Sequence, residues 1–248
     1  MEIITSRQNK FVKLARSLAE RKFRAETGLF LAEGVNLLRD MPRNVSVYAV
    51  FATESRYGEA ADMFRDHSVD EGVICVADEV MKSISDTASP YGIMAICKIP
   101  KVDFAFPNGN ALLLDGVSDP GNIGTILRTS AACGFCEIYA LETADIYSPK
   151  VIRATLGALF RLKVISVDEA QAVDLVKECN SAVLDMGGKN ILDEKIKSPV
   201  LFIAGSEAHG VRDVLKREAK TAYSLPMKNQ IESLNVAVAA AVAMYQTV

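Results

Sequence analysis

The sequence has no tryptophan and only two histidines, His67 and His209, which stand far apart and outside metal-ligand spacing. Its five cysteines, Cys75, Cys97, Cys133, Cys136 and Cys179, are odd in number and scattered, which argues against a disulfide framework. Cys133 and Cys136 form a lone CxxC with no second pair to complete a zinc site. No metal is therefore expected, and the cysteines read as buried thiols in a reducing compartment. Apolar runs are short. The longest, residues 236–245, falls well below the roughly 20 residues that span a bilayer. The opening MEIITSRQNKFVK lacks the apolar centre of a secretion signal, so a soluble, cytoplasmic protein is expected. A net charge of −3 excludes a globally basic protein. The dinucleotide signature G-x-G-x-x-G is missing too: GVSDPGNIG stands in its place, which argues against a nucleotide-dependent oxidoreductase.

What is present is 248 residues, half of them hydrophobic, enough for one large domain or two modest ones. The charge is uneven. Residues 7–24 hold Arg7, Lys10, Lys13, Arg16, Arg21, Lys22 and Arg24 against Glu20 alone. Residues 7–22 are expected to form one amphipathic helix that buries Phe11, Leu14, Ala15 and Leu18. Its basic surface, Lys10, Lys13, Arg16, Arg21 and Lys22, is either a solvated face or a contact for a polyanion such as RNA. Short strands and helices alternate up to residue 99 in a small α/β unit. Residues 101–109, with Pro107 and Gly109, read as a linker after Pro100. From residue 110 the alternation restarts with continuously apolar strands, expected at 111–114, 137–141, 163–167, 182–184, 200–204 and 222–225. That pattern predicts a parallel sheet covered on both faces. The expected organisation is thus 1–100, a linker at 101–109, and 110–248.

Three segments of the second half stand out, each a loop leaving the end of a strand, where open α/β sheets bind ligands. The first is DGVSDPGNIGTILRTSAACGF, residues 115–135. Asn122 suits a helix N-cap, and Arg128 either marks the helix's wet edge or belongs to a site. The second is LFIAGSEAHGV, residues 201–211, in which Glu207 can bind a hydroxyl, orient a neighbour or simply be solvated. The third is LPMKNQIESLNVAVAAAVAMYQ, residues 225–246, in which Ser233 could merely cap the small-residue helix that follows. All three loops could converge at one sheet edge.

Taken together, NIGTILRTSAACGF, AGSEAHG and PMKNQIESLNVAVAAA resemble, in order and spacing, the three motifs of the SpoU–TrmH class of SPOUT RNA methyltransferases. ATLGALFRLKV at 154–164 resembles a further family stretch. SRQNKFVKLARSL and GLFLAEGVNLL resemble the family's L30e-like RNA-binding domain, so the likeness covers nearly the whole chain. Two departures stand out: Asn229 replaces a usual Gly, and Lys163 replaces a common Pro. Asn is the next best residue for a left-handed backbone, so the loop is expected to survive.

The resemblance implies a parallel-sheet SPOUT domain with a deep trefoil knot, preceded by a small L30e-like α/β domain. It implies S-adenosylmethionine bound by Gly205, Leu225 and Leu234 with Met227 nearby, and methylation of a ribose 2′-hydroxyl in RNA, ribosomal ahead of transfer RNA. It further implies a catalytic set of Arg128, Asn122, Glu207, Ser233 and Asn235, and a homodimer. The family gives Arg128 the proton step, although a guanidinium keeps its proton up to a pKa above about 12. The alternative role is a phosphate clamp. A non-catalytic RNA-binding or ribosome-assembly factor is the competing reading.

Overall fold

The structure, a computed structural model, describes residues 2–231 and 233–248. The chain divides into two compact units, residues 1–100 with 147–160, and residues 101–146 with 161–248. The expected second domain therefore gives up residues 147–160 to the first unit.

The first unit opens with two short helices, α1 (Lys10–Ser17) and α2 (Arg21–Thr27), where one was expected. No Gly or Pro signals the break. Tighter bonds close the first helix, from the Ala19 N–H to Arg16 and from the Glu20 N–H to Ser17. The buried Arg24 then donates Nη1–H to the Leu18 carbonyl at 2.5 Å. Arg24 is a structural strut and leaves the basic surface. Val12, Ala15 and Leu18 form the buried stripe, with Phe11 and Leu14 only partly covered. A four-stranded mixed sheet follows, built from β1 (Leu29–Glu33), β2 (Val47–Thr53), β3 (Val73–Val76) and β4 (Ile93–Lys98). Its order is β1-β4-β2-β3, with β4 antiparallel to both neighbours and β2 parallel to β3. Helices α3 (Val35–Arg39), α4 (Tyr57–Met63) and α5 (Asp78–Ile84) connect the strands.

The second unit is a six-stranded, wholly parallel sheet, as the continuous apolar strands predicted. It comprises β5 (Ala111–Asp115), β6 (Glu137–Leu141), β7 (Lys163–Ser166), β8 (Ser181–Asn190), β9 (Leu201–Gly205) and β10 (Thr221–Ser224), in the order β10-β8-β9-β5-β6-β7. Helices α6 (Pro120–Ala132), α8 (Glu169–Glu178), α9 (Asp213–Glu218) and α10 (Val236–Tyr245) belong to this unit, and α7 (Pro149–Thr155) to the first. β5 and β9 are buried at every residue.

The linker is anchored rather than loose. Val102 and Phe104 pack on the core of the second unit. The buried Tyr139 donates its hydroxyl to the Ala105 carbonyl at 2.7 Å, and the Asn108 N–H donates to Glu137 at 2.9 Å. Lys163, at the position where Pro is common, donates its backbone N–H to Cys136 at 2.8 Å, a bond proline cannot make. All five cysteines are free.

Candidate active site

Because the sheet is parallel, the loops after β5, β9 and β10 leave one edge, as expected from the sequence. At the first loop, Asp119 and not Asn122 caps α6: its Oδ1 accepts the Asn122 N–H at 2.9 Å, and Pro120 begins the helix. The cap leaves the Asn122 side chain free. Its Nδ2 donates to Glu207 Oε1 at 2.7 Å, and its Oδ1 accepts from Asn235 Nδ2 at 2.8 Å. Asn235, and not Ser233, caps α10, accepting from the Ala237 N–H at 2.9 Å. One hydrogen-bonded chain thus runs Asn235 to Asn122 to Glu207 and joins all three motifs through side chains 113 and 85 residues apart in sequence.

Both Glu207 oxygens are engaged, the second by the Ser118 hydroxyl at 3.5 Å. Partial burial works against the Glu207 carboxylate. The Asn122 amide and the backbone N–H groups of Glu207, Ser118 and Asp119 outweigh that, and hold its pKa below the ordinary 4.5. The carboxylate is therefore ionised at neutral pH and serves as an acceptor.

Beside this chain lies a cleft of about 660 Å³, within the usual range for small-ligand sites. Gly205, Leu225, Met227 and Leu234, the four expected cofactor contacts, all line it, together with Glu207, Ser233 and Asn235. Gly205 is required by crowding: a Cβ there would collide with the backbone of Gly210 and Val211. Leu184, Ile191 and Ala204 add apolar wall, while Ser206 and Asp185 add polar groups. Asp185 is paired with Lys216 at 2.5 Å, and that bond, with the Gly187 N–H, depresses its pKa.

Sequence reasoning missed the β8 wall because the apolar run that marks the strand stops at Leu184, before DMGGKN at 185–190. That stretch is nonetheless the second half of a ten-residue strand. The pairing with β10 slips between Ala222 and Tyr223, so that Tyr223 meets Lys189. Gly188 permits it, since a Cβ would sit 2.5 Å from the Ala222 carbonyl carbon. In the third loop Asn229 has φ +56°, the left-handed conformation in which Asn is the best substitute for Gly, and Gln230 follows at +58°.

Arg128 stands apart from this cluster. It lies six residues beyond Asn122 on α6, about 9 Å along the axis at 1.5 Å per residue. It is exposed, lines neither this cleft nor the one beside it, and makes no hydrogen bond or ion pair with the described residues.

The neighbouring cleft shares the 206–210 loop and centres on Arg212. That side chain donates Nε–H to Asp115 at 2.7 Å, Nη1–H to Glu169 at 2.7 Å and Nη2–H to Glu142 at 3.1 Å. Burial alone would favour the neutral guanidine. The surrounding carboxylates of Glu169, Asp115 and Glu142 outweigh it and raise the pKa.

In the first unit, Lys10, Lys13, Arg16, Arg21 and Lys22 are all exposed. The first three recur on α1 at three-residue spacing. Lys22 makes only a loose pair with Glu26 at 3.8 Å. Among the described residues there is no cluster suited to a metal ion, and no helix is long and apolar enough to cross a membrane.

A parallel α/β sheet whose ligand cleft is walled by its own strand-end loops, preceded by a separate unit with a basic helical face, defines a class of two-unit α/β proteins with a small-molecule site. Residues 109–245 match the SpoU rRNA methylase family, and the chain belongs to that family. Residues 9–95 match the MRM3-like substrate binding domain. The chain is 29% identical to a 23S rRNA (guanosine(2553)-2′-O)-methyltransferase, RlmP, of Bacillus subtilis, over 99% of this chain and 98% of that one. It is 27% identical to a 23S rRNA (uridine(2479)-2′-O)-methyltransferase of Streptomyces viridochromogenes, over 99% and 91%. The crystal structure of an AdoMet-bound rRNA methyltransferase from Sinorhizobium meliloti superposes with a TM-score of 0.88 at 25% identity, covering 99% of this chain and 97% of that one.

Proposed function

We propose that this protein methylates a ribose 2′-hydroxyl of ribosomal RNA, using S-adenosylmethionine held in the 660 Å³ cleft. The observation that carries the reading is the Asn235–Asn122–Glu207 chain, which ties the three strand-end loops together at the lip of that cleft. The residues present suit the cofactor: apolar side chains for a flat base, backbone that Gly205 lets come close, and ionised carboxylates near a cationic ligand. When bound, S-adenosylmethionine supplies an electrophilic methyl group.

Transfer to a hydroxyl is then chiefly a matter of alignment, which the chain's own residues provide. Asn122 and Asn235 have their amides locked by hydrogen bonds and so present a fixed polar surface beside the cleft. Ser233 adds a hydroxyl at its wall. Arg128 acts as a phosphate clamp. Its guanidinium is exposed and unpaired among the described residues, and its planar fork matches a phosphate's oxygens. The first unit holds the RNA through Lys10, Lys13, Arg16, Arg21 and Lys22.

The catalytic unit pairs with a second copy through α10, and its C-terminal segment forms the trefoil knot of its family. The pairing is supported by α10 itself. It is apolar on every side, yet Val238 and Tyr245, seven residues apart on one face, are 48% and 57% exposed.

The test is transfer of radiolabelled methyl to ribosomal RNA from a strain lacking the gene. The expected product is one nucleotide resistant to alkaline cleavage. Cofactor binding with no transfer to ribosomal RNA, but tight RNA binding, would favour the assembly-factor reading. No cofactor binding at all would refute the assignment of the cleft.

A further inference from the structure

The carboxylate of Asp115 sits where the first two motif loops begin, and it is 3% exposed. As the last residue of β5 it pairs in register with Gly205, the last residue of β9. Its Oδ2 accepts the backbone N–H of Arg212 at 2.7 Å, and its Oδ1 accepts the Arg212 Nε–H at 2.7 Å. Residues 206–211 therefore leave Asp115's side at Gly205 and return to it at Arg212. Within that span the loop closes on itself, with Ser206 and Gly210 exchanging backbone bonds at 3.1 and 2.9 Å. Glu207 projects from this closed loop toward Asn122. On the other side, Asp115 leads into Ser118, which donates to Glu207, and Asp119, which caps α6 at Asn122.

We propose that Asp115 and Arg212 are positioning residues for the methyl-transfer site: a buried brace that fixes the 206–211 loop so that Glu207 meets Asn122 and Gly205 shapes the cofactor wall. This rests on the function proposed above, and it assigns the pair no contact with either substrate. Arg212 is held in place in turn by Glu169 and Glu142. Those two carboxylates are 58% and 73% exposed, so solvent and salt weaken their hold. Asp115 is almost dry, so losing Arg212 strands its buried charge, whereas Arg212, 23% exposed, keeps its other two carboxylates when Asp115 is lost. The brace thus predicts an asymmetry within one cluster of ions.

Two measurements on the full-length protein test it: S-adenosylmethionine affinity by calorimetry, and hydrogen exchange of the 206–211 amides without cofactor. Asp115→Asn and Arg212→Ala should each weaken binding about tenfold, in line with loss of a charged hydrogen bond, and speed exchange in the loop. Arg212→Lys should recover part of the loss. Glu142→Gln and Glu169→Gln should stay within about twofold of wild type. The double variant Asp115→Asn/Arg212→Ala should be no worse than the poorer single one, since the pair acts as a unit. If Asp115→Asn fails to fold, Arg212→Lys and Arg212→Gln carry the same comparison. Wild-type affinity and loop exchange in folded Arg212 variants would overturn the brace. Wild-type protein that binds no cofactor would instead refute the proposed function, and loop exchange would still decide the brace.

Discussion

Asn122 shows how one residue's role depends on a neighbour. An Asn at the start of a helix is a ready N-cap, and its sequence position alone cannot distinguish a cap from a site residue. Asp119 takes the cap three residues earlier, and the freed amide becomes the centre of the site. At α10 the cap falls to Asn235 instead of Ser233, and Asn235 does both jobs, capping with its Oδ1 and donating its Nδ2–H to Asn122. Arg128 offers the sharpest test at this scale. Arg128→Ala should reduce methylation by about 100-fold or more, of the order reported for single groups that stabilise reacting charge, while cofactor affinity stays unchanged. Partial recovery in Arg128→Lys would show that charge is what matters. No recovery would show that the planar fork is required. Full activity of the alanine variant on cognate RNA would contradict any role in the reaction.

Glu207 makes a prediction in pH. Its folded pKa is depressed, so its ionised form contributes stability that is present above the ordinary 4.5 and is lost as pH falls through the lower folded value. The gap in denaturation midpoint between wild type and Glu207→Gln should be constant from neutral pH down to about 5, and then shrink. A gap that widens on acidification would show the opposite shift. The side chain is largely exposed, so the effect should be small.

At the scale of elements, α1 and α10 pose opposite questions. α1 carries Lys10, Lys13 and Arg16 toward solvent, and α2 adds Arg21 and Lys22. If these bind phosphates, changing all five to Gln should flatten the dependence of RNA affinity on salt, because fewer counterions are released. Cofactor affinity should not change. An unaltered slope would leave the stripe a solvated face. α10 lays Ala237, Ala240, Ala243 and Met244 against its own unit, packing on α6 and β9, and leaves Val238 and Tyr245 bare. Val238→Glu with Tyr245→Glu should convert a dimer to a monomer of 26.9 kDa in light scattering. Wild-type protein already at that mass at micromolar concentration would rule the dimer out.

For the whole molecule, the division into units has a practical consequence. A catalytic fragment cut at residue 107 would discard Val102 and Phe104, which cover the core, so the cut belongs at residue 101. Even that fragment strands residues 147–160. Their packing partners lie in the first unit, where Phe30 meets Tyr147 in a tilted ring contact at 5.1 Å and Arg153 pairs with Asp86 at 2.8 Å. A 101–248 fragment should bind cofactor close to wild-type affinity, because the cleft and its hydrogen-bonded chain lie wholly within it. Its 147–160 amides should exchange rapidly, since an orphaned seven-residue helix is too short to persist alone. Slow exchange there would show that the segment needs no partner from the first unit.

Much of this was legible in the chain itself. Continuous apolar strands at regular intervals dictate a parallel sheet, because only a sheet covered on both faces buries such runs. A parallel sheet in turn sends its strand-end loops to one edge, so the three motif segments could converge there, and the strand order decided that they do. What the sequence could not determine depends on groups distant along the chain. The slipped β8–β10 pairing turns a Gly-Gly stretch into cleft wall, Asn235 reaches Asn122 across 113 residues, and Asp115 reaches Arg212 across 97. Local propensity and periodicity sense only a few neighbours, whereas caps, ion pairs and register are settled by whichever partner the fold brings within about 3 Å. The residue types of the site could therefore be read from the sequence, but their division of labour was decided by the tertiary structure.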